Sequence, residues 1–246
     1  MTEIYKLIHP IKYFNDYIST NVRTDKRKLD ELRSMKINVN TINTAEASAI
    51  VKCGNTTVIC GIKLELATPK AEEPNVGYLV TNLELPALCS SKYKPGPPSD
   101  NAQVINNLVS EIIVNSKCID LKDLCIAPDK LAWVIYCDMI CLDNDGSVVD
   151  ACIITLITCL KTLSLPSVEY DVETEEINVD QNIRTPIKVH GLPVSSSFSI
   201  YNFNGSNILL NDPSAYEEDL CGGFGANLII SYNNGILCGT HKFGGS

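Results

Sequence analysis

The spacing of hydrophobic and polar positions changes along this chain, and the changes outline its elements. Residues 1–35 read as helix and then as an irregular charged stretch, DKRKLDELR. MKINVNTI alternates. EASAIVKCG and TTVICGIKLELA follow, rich in Val, Ile and Thr and split by a Gly54-Asn55 turn, which predicts an antiparallel hairpin. Residues 68–76 are a polar loop, and GYLVTNLEL is a further strand. SSKYKPGPPSD, with three prolines and a glycine, is a loop before DNAQVINNLVSEIIVNS, whose apolar positions 105, 108, 109, 112 and 113 have helical spacing. LAWVIYCDMICL is continuously apolar and predicts a central strand covered on both faces.

A second helix is expected over 147–163, with Val149, Cys152, Ile153, Leu156, Ile157, Leu160 and Leu163 on one stripe. SSSFSIYNF, SNILLND, ANLIISY and GILCGTHKF read as short strands near the end. The order strands, helix, strand, helix, strands predicts an α+β or mixed α/β fold. No linker interrupts it. We expect one domain spanning 1–246: an N-terminal helix and loop over 1–35, a first lobe over 36–163 and a second over 164–246.

Charge and cysteine content narrow the possible roles. A length of 246 residues, 45% hydrophobic and 20% charged, is enough for a sizeable core. The net charge of −9 opposes a stand-alone nucleic-acid binder, which needs a basic face. The charge is uneven: residues 1–40 carry eight Lys/Arg against five Asp/Glu, and residues 165–220 carry two against ten. That polarity suits docking against other subunits. The eleven cysteines form no Cys-x-x-Cys and sit mostly in apolar runs, so they are expected as reduced core residues of an intracellular protein. With His9, His190 and His241 scattered, no zinc site is expected. No apolar run reaches the roughly 20 residues of a membrane span.

Three stretches invite chemistry. LDNDGSVVDAC (142–152) resembles a calcium loop, but that register puts Cys141 and Cys152 where oxygen ligands belong. The better reading is a turn at Asn144-Asp145-Gly146, Ser147 as helix cap and Asp150 in the first turn. The basic cluster Arg23, Lys26 and Arg27, with Arg33 beyond, could hold phosphate or pair with Asp25, Asp30 and Glu31. LLNDPSAYEEDLCGGFG (209–225) gathers Asp212, Glu217, Glu218 and Asp219, as metal ligands, a general base or a turn. Its glycines precede a strand, which excludes dinucleotide and P-loop motifs.

Taken in order, RTDKRKLDELR, EASAIVKCGNTTVICGIKLELA, the VVDACIITLITCLK helix and NDPSAYEED resemble the ribonuclease-PH-like fold, also described as ribosomal protein S5 domain 2-like. NLELPALCSSKYKPGPP, DLCIAPDKLAWVIYCDMICLDNDG and LCGTHKFGGS narrow the resemblance to ring subunits of the eukaryotic RNA exosome. The resemblance implies two β-α lobes with mixed sheets. It implies a ring of six such chains around an RNA channel, capped by S1-domain proteins. The implied partners are a dimer mate of the ribosomal RNA-processing protein 46 type, a cap protein of the Csl type and a hydrolytic exosome nuclease, with RNA passing through the assembled channel and no membrane. The implied role is 3'-5' RNA processing and degradation, including rRNA maturation, mRNA turnover and RNA surveillance, in nucleus, nucleolus and cytoplasm. Family members usually continue past this point with a C-terminal helix, where this chain stops at Ser246, and active relatives have Gly at the place of Lys26.

Active relatives are phosphorolytic, joining two highly negative groups with fixed cations and carboxylates. This chain has only four arginines, at 23, 27, 33 and 184. Where active relatives begin a helix with an Arg-Arg pair, it has Ser99, Asp100 and Asn101. Where they place a phosphate clamp, expected before the central strand, Lys130 is the only cation, and lysine does not reproduce a bidentate guanidinium. Their acidic pair is six residues apart; Asp219 matches the first, and Gly225 stands at the second. The expectation is a non-catalytic ring subunit with no catalytic residues, cofactor or metal, a vestigial position at Asp219, and RNA contacts through Arg23, Arg27, Lys92 and Lys94. The alternatives are a phosphorolytic exoribonuclease, alone or with a partner, and a stand-alone RNA-binding module.

Overall fold

The computed structural model describes residues 2–171, 174, 176–222, 225–231 and 235–243. Two short helices, α1 (Thr2–Ile8) and α2 (Pro10–Ile18), open the chain. β1 (Met35–Val39), β2 (Ala47–Cys53), β3 (Thr56–Ala67) and β4 (Tyr78–Glu84) precede α3 (Asp100–Ser116). After a 3-10 turn at Leu121–Leu124 come β5 (Cys125–Ala127), β6 (Leu131–Asp143) and α4 (Val148–Thr162). The hairpin of β7 (Ser164–Tyr170) and β8 (Ile177–Pro186) leads to β9 (Pro193–Phe203), β10 (Ser206–Asn211), α5 (Ala215–Leu220), β11 (Gly225–Ser231) and β12 (Ile236–Phe243).

The first sheet has the order β1-β2-β3-β6-β4, with β5 on the start of β6. Its β2–β3 hairpin turns at Gly54-Asn55 as the sequence predicts, and β4 runs parallel to β6 while β3 runs antiparallel to it. The second sheet has the order β10-β9-β11-β12, all antiparallel. The sheets are therefore mixed and the fold α+β.

Two expectations need correcting. β6 is interior to its sheet, but only its first five residues, Leu131 to Ile135, are buried in succession. Beyond them burial alternates: Cys137, Met139 and Cys141 point inward, while Asp138 and Ile140 are exposed. The apolar run thus overstates the coverage, because helices cover only one face of this half. The second difference is α4. Its expected stripe is buried in full, but so are Ala151, Thr155 and Cys159. The helix packs on β2 and β3 on one side and on β9 on the other, so it is a layer between two sheets. A helix buried all round is apolar all round. Thr155 is accommodated because its hydroxyl donates to the Ala151 carbonyl at 2.6 Å.

None of the eleven cysteines is in a disulfide, and nine are buried. Burial pushes the Cys152 thiol up to about 12, as expected of an inert core residue. A smaller cluster sets α2 on the second lobe: Phe14 and Ile18 pack with Tyr201, Leu210 and Cys221, and the Tyr201 hydroxyl donates to Asn15 Oδ1 at 2.6 Å. No helix among the described residues is long and apolar enough to cross a membrane.

Leu156 is fully buried in the shared layer. Leu156→Ala is expected to lower the unfolding free energy by about 2–5 kcal/mol, measured by urea denaturation; a change under half a unit would mean that α4 is not shared core.

Candidate functional site

The N-terminal loop between α2 and β1 carries three arginines, and all three point into the protein. Arg23 is fully buried. Its Nε donates to Glu217 Oε1 at 2.8 Å, its Nη2 pairs with Glu217 Oε2, and the guanidinium also donates to the carbonyls of Asn211 (2.6 Å) and Asp212 (3.0 Å). Arg27 donates to Asp25 Oδ2 at 2.6 Å and to the Asp212 carbonyl at 3.2 Å. Arg33 grips Asp212 through Nη2 at 2.6 Å and its own backbone N–H at 2.8 Å, and reaches the Asp145 carbonyl at 2.6 Å. Three cations meet Asp25, Asp212 and Glu217, so the cluster is balanced in charge, as buried ions must be.

This arrangement corrects the expected RNA contacts. Arg23 is fully buried and Arg27 nearly so, and both are spent on internal carboxylates and carbonyls rather than held out toward a nucleic acid. Of the two readings open for the cluster, pairing holds, but among the expected partners only Asp25 takes an arginine; the main carboxylates are Asp212 and Glu217, brought in from the far end of the chain. Lys92 and Lys94 are exposed. Arg184 lies on β8, where it pairs with Glu46 at 2.7 Å.

The four carboxylates of 209–225 differ in their main partners, although Arg27 lies near both Asp212 (3.3 Å) and Glu217 (4.0 Å). Asp212 takes Arg33. Glu217, at the third position of α5, reaches back to the Ser214 N–H at 2.8 Å and takes Arg23. Glu218 Oε1 accepts the Ser147 N–H at 2.8 Å. Asp219 pairs with Lys92 at 2.5 Å. No metal-binding cluster exists among the described residues. Burial would raise the Asp212 pKa, but Arg33's bonds and charge outweigh it and hold the carboxyl below 3.8. Glu218 goes the other way: burial lifts it above 4.5, against the opposing Ser147 bond and Lys92 charge.

Beside this turn lies a cavity of about 530 Å³. The starts of α3 and α4 contribute Asn101 and Ser147 to Val149, β9 contributes Ser197 to Ser199, and the loop before α3 contributes Tyr93. The position of Gly225 adjoins it, since its backbone pairs with Ser199. Ser147 corrects another expectation. It stands at the start of α4 with positive φ, yet its hydroxyl donates to the Pro213 carbonyl instead of capping the helix. Gly146 makes the approach possible: with φ of +83°, it lies so close to Pro213 and Ser214 that a Cβ there would clash.

Both helix starts facing the cavity carry their own anions. α3 has Asp100 in its first turn, and Ser99 accepts the Ala102 N–H at 3.3 Å. α4 has Glu218 on the Ser147 N–H and Asp150 in its first turn; Asp150 in turn accepts from the Ser197 N–H at 2.8 Å and from the Ser195 hydroxyl. Lys92 is the one cation lining the cavity among the described residues. Lys130 is at the far end of β6, a strand whose length spans roughly 40 Å. The segment that meets the cavity is instead the start of α4, Ser147 to Val149, after the central strand and not before it. The alternating pattern of β9 carried a signal for the serines, but nothing in the sequence linked them to Tyr93 or Asn101.

Glu217→Gln should leave the buried Arg23 charge uncompensated and cost about 3–5 kcal/mol, measured as a fall in urea midpoint; Arg23→Lys should fail to rescue it. For Asp212 the sign is fixed by its lowered pKa. Its contribution is full above 3.8 and is lost as pH falls through the folded value. Asp212→Asn should therefore be less stable than the parent at pH 7, with the gap narrowing below pH 3.8 in urea titrations; a gap independent of pH would remove the charge from the explanation.

Comparison with known proteins agrees with this geometry. The "3' exoribonuclease family, domain 1" matches residues 31–166. The chain is 40% identical to exosome complex component rrp43 of Schizosaccharomyces pombe, over 97% of this chain and 88% of that protein. It is 34% identical to exosome complex component Rrp42 of Pyrococcus furiosus, over 86% of this chain and 74% of that protein. Among solved structures, a chain of the Archaeoglobus fulgidus exosome with RNA bound to the active site has a TM-score of 0.82 at 28% identity, covering 100% of this chain and 89% of that one. With the mixed sheets, the helical layer and the acidic turn in the expected order, the chain belongs to the RNase PH family of 3' exoribonucleases, among its exosome complex components.

Proposed function

We propose that this chain is a non-catalytic ring subunit of an RNA exosome, built to assemble the 3'-5' RNA-degrading complex and to line its RNA path. One observation carries the non-catalytic reading: none of the four arginines lines the cavity. Three are consumed in the inter-lobe cluster and the fourth pairs with Glu46 on β8. Phosphorolysis would bring inorganic phosphate beside an RNA phosphate, and two such anions need fixed cations. Here Lys92 is a single flexible cation, already engaged with Asp219, and the position six residues after Asp219 is a glycine with no carboxylate to offer.

The proposed partners are other ring subunits of the same fold, with a dimer mate of the ribosomal RNA-processing protein 46 type, a Csl-type cap protein and a hydrolytic nuclease that supplies the activity. Of the four expected RNA contacts, exposed Lys92, which pairs with Asp219, and exposed Lys94 remain once Arg23 and Arg27 are buried.

Gentle affinity purification from the chain's own cells should return related ring and cap proteins with a hydrolytic nuclease in near-equal amounts. The purified chain should release no nucleoside diphosphates from RNA when phosphate is supplied. Recovery of the chain alone, or phosphate-dependent diphosphate release by it, would overturn the assignment.

A further inference from the structure

The connection from β4 to α3, residues 85–99, carries no helix or strand, and loops beyond roughly 12–15 residues without secondary structure are usually functional. Its first part is tied down. The Cys89 carbonyl accepts the Asn144 N–H at 3.0 Å, the Tyr93 N–H donates to the Ser90 carbonyl at 3.2 Å, and Asn144 Nδ2 donates to the Tyr93 hydroxyl at 3.3 Å. Its end is fixed too, because Ser99 caps α3. Between these anchors Lys94, Pro95, Gly96, Pro97 and Pro98 are all exposed. Among the described residues no hydrogen bond or ion pair involves residues 94–97, and Gln103 reaches only the Pro98 carbonyl, at 3.4 Å. Three prolines thus stand in water with almost nothing in this chain holding them.

Proline fixes φ near −65° and so favours the polyproline II helix, which loses little entropy on docking. That helix repeats every three residues. In that form Lys92, Pro95 and Pro98 stack on one edge, Lys94 and Pro97 on the next, and Tyr93 and Gly96 on the third. The third edge is the one the fold already uses, since Tyr93 is half-buried and bonded to Asn144. The other two edges offer proline rings and lysine stems, with a cation at one end. Grooves lined by aromatic rings read such P-x-x-P edges, and an acidic group beside the groove complements the cation.

The loop is not yet in that form. Gly96 has φ of +141°, a value that favours glycine, and a Cβ there would meet nothing within 4 Å. No packing holds the break, and a residue standing before a proline is biased to extended backbone. Lys92 is also easily released. Its pair with Asp219 is more than half exposed on both sides, so it holds weakly. We infer that residues 92–98 are a polyproline-type docking segment for a partner domain whose groove is lined by aromatic rings and carries acidic groups at one end. This goes beyond the ring assignment and does not depend on it.

The test uses the intact chain as purified from its own cells, with whatever partners accompany it. The probes are a panel of isolated Src-homology-3 and WW domains, read by biolayer interferometry. At least one is expected to bind, and Pro95→Ala combined with Pro98→Ala should weaken it by about tenfold or more. Lys92→Gln should weaken it less and flatten its salt dependence. Gly96→Ala discriminates. It does not keep φ of +141°, stands before Pro97 and lies on the edge away from the groove, so it should bind roughly two- to fivefold more tightly. Binding by no domain of the panel, or binding indifferent to the two prolines, would overturn the inference. So would weaker binding by Gly96→Ala in a preparation whose circular dichroism and composition are unchanged. A single-stranded oligouridylate is the separate probe for RNA. If it binds through Lys92 and Lys94 while the panel binds nothing, the loop is an RNA contact and the docking reading falls. The ring assignment is judged by co-purification and diphosphate release, so the two fail independently.

Discussion

The grip of the N-terminal loop on the second lobe is the interaction on which the rest of the structure depends. Arg23, Arg27 and Arg33 come from residues before the first strand, and their main partners come from the turn after β10 (Asp212) and from α5 (Glu217). The same arginines accept no solvent role, because they also satisfy the carbonyls of Asn211, Asp212 and Asp145. The turn is held at several points: the Asp212 N–H donates to the Ser197 carbonyl at 2.9 Å, Asp212 has positive φ, and its carbonyl is a focus for two guanidinium groups. Fixing that turn fixes α5, and α5 in turn presents Glu218 to the start of α4 and Asp219 to Lys92. The wall of the cavity is thus set from a loop almost two hundred residues earlier in the chain.

This explains why a motif rich in carboxylates need not be a catalytic motif. Four acids within eight residues look like one site when read as text. In space they diverge, because a short helix turns successive residues in different directions. Glu217 faces the buried arginines, Glu218 faces the neighbouring helix start, and Asp219 faces the outside. Asp212 and Glu217 converge only on buried arginines, while Glu218 and Asp219 hold separate partners.

Much of the fold was legible from period and turn chemistry. The β2–β3 hairpin, α3, the β6 strand, α4 and the last four strands all lie where the pattern put them, since each buries a face that its spacing reveals. What periodicity could not reveal was the third layer. The apolar positions of α4 were visible, but Ala151, Thr155 and Cys159 are mild residues whose burial is decided by β9, which arrives from another part of the chain. The site was legible in the same uneven way. Missing arginines and the glycine at 225 are absences that the sequence states directly. The fate of Arg23 and Arg27 is not, because a basic loop reads the same whether its partners are phosphates outside or carboxylates within. Only the tertiary register, 194 residues between Arg23 and Glu217, decides it.

That separation has a bearing on how the chain is made. A ribosome adding about 5–20 residues per second exposes Arg23 long before it delivers Glu217, so the loop waits roughly 10–40 s in solvent with its partner not yet synthesised. During that interval α4 also lacks one of its two sheets. The first lobe therefore leaves the ribosome with an uncovered helix face and an unanchored leader, and both defects are repaired together when the turn after β10 emerges. A newly made chain is at its stickiest before the turn after β10 emerges, which is when a dimer mate or a chaperone would have most to gain by being close at hand.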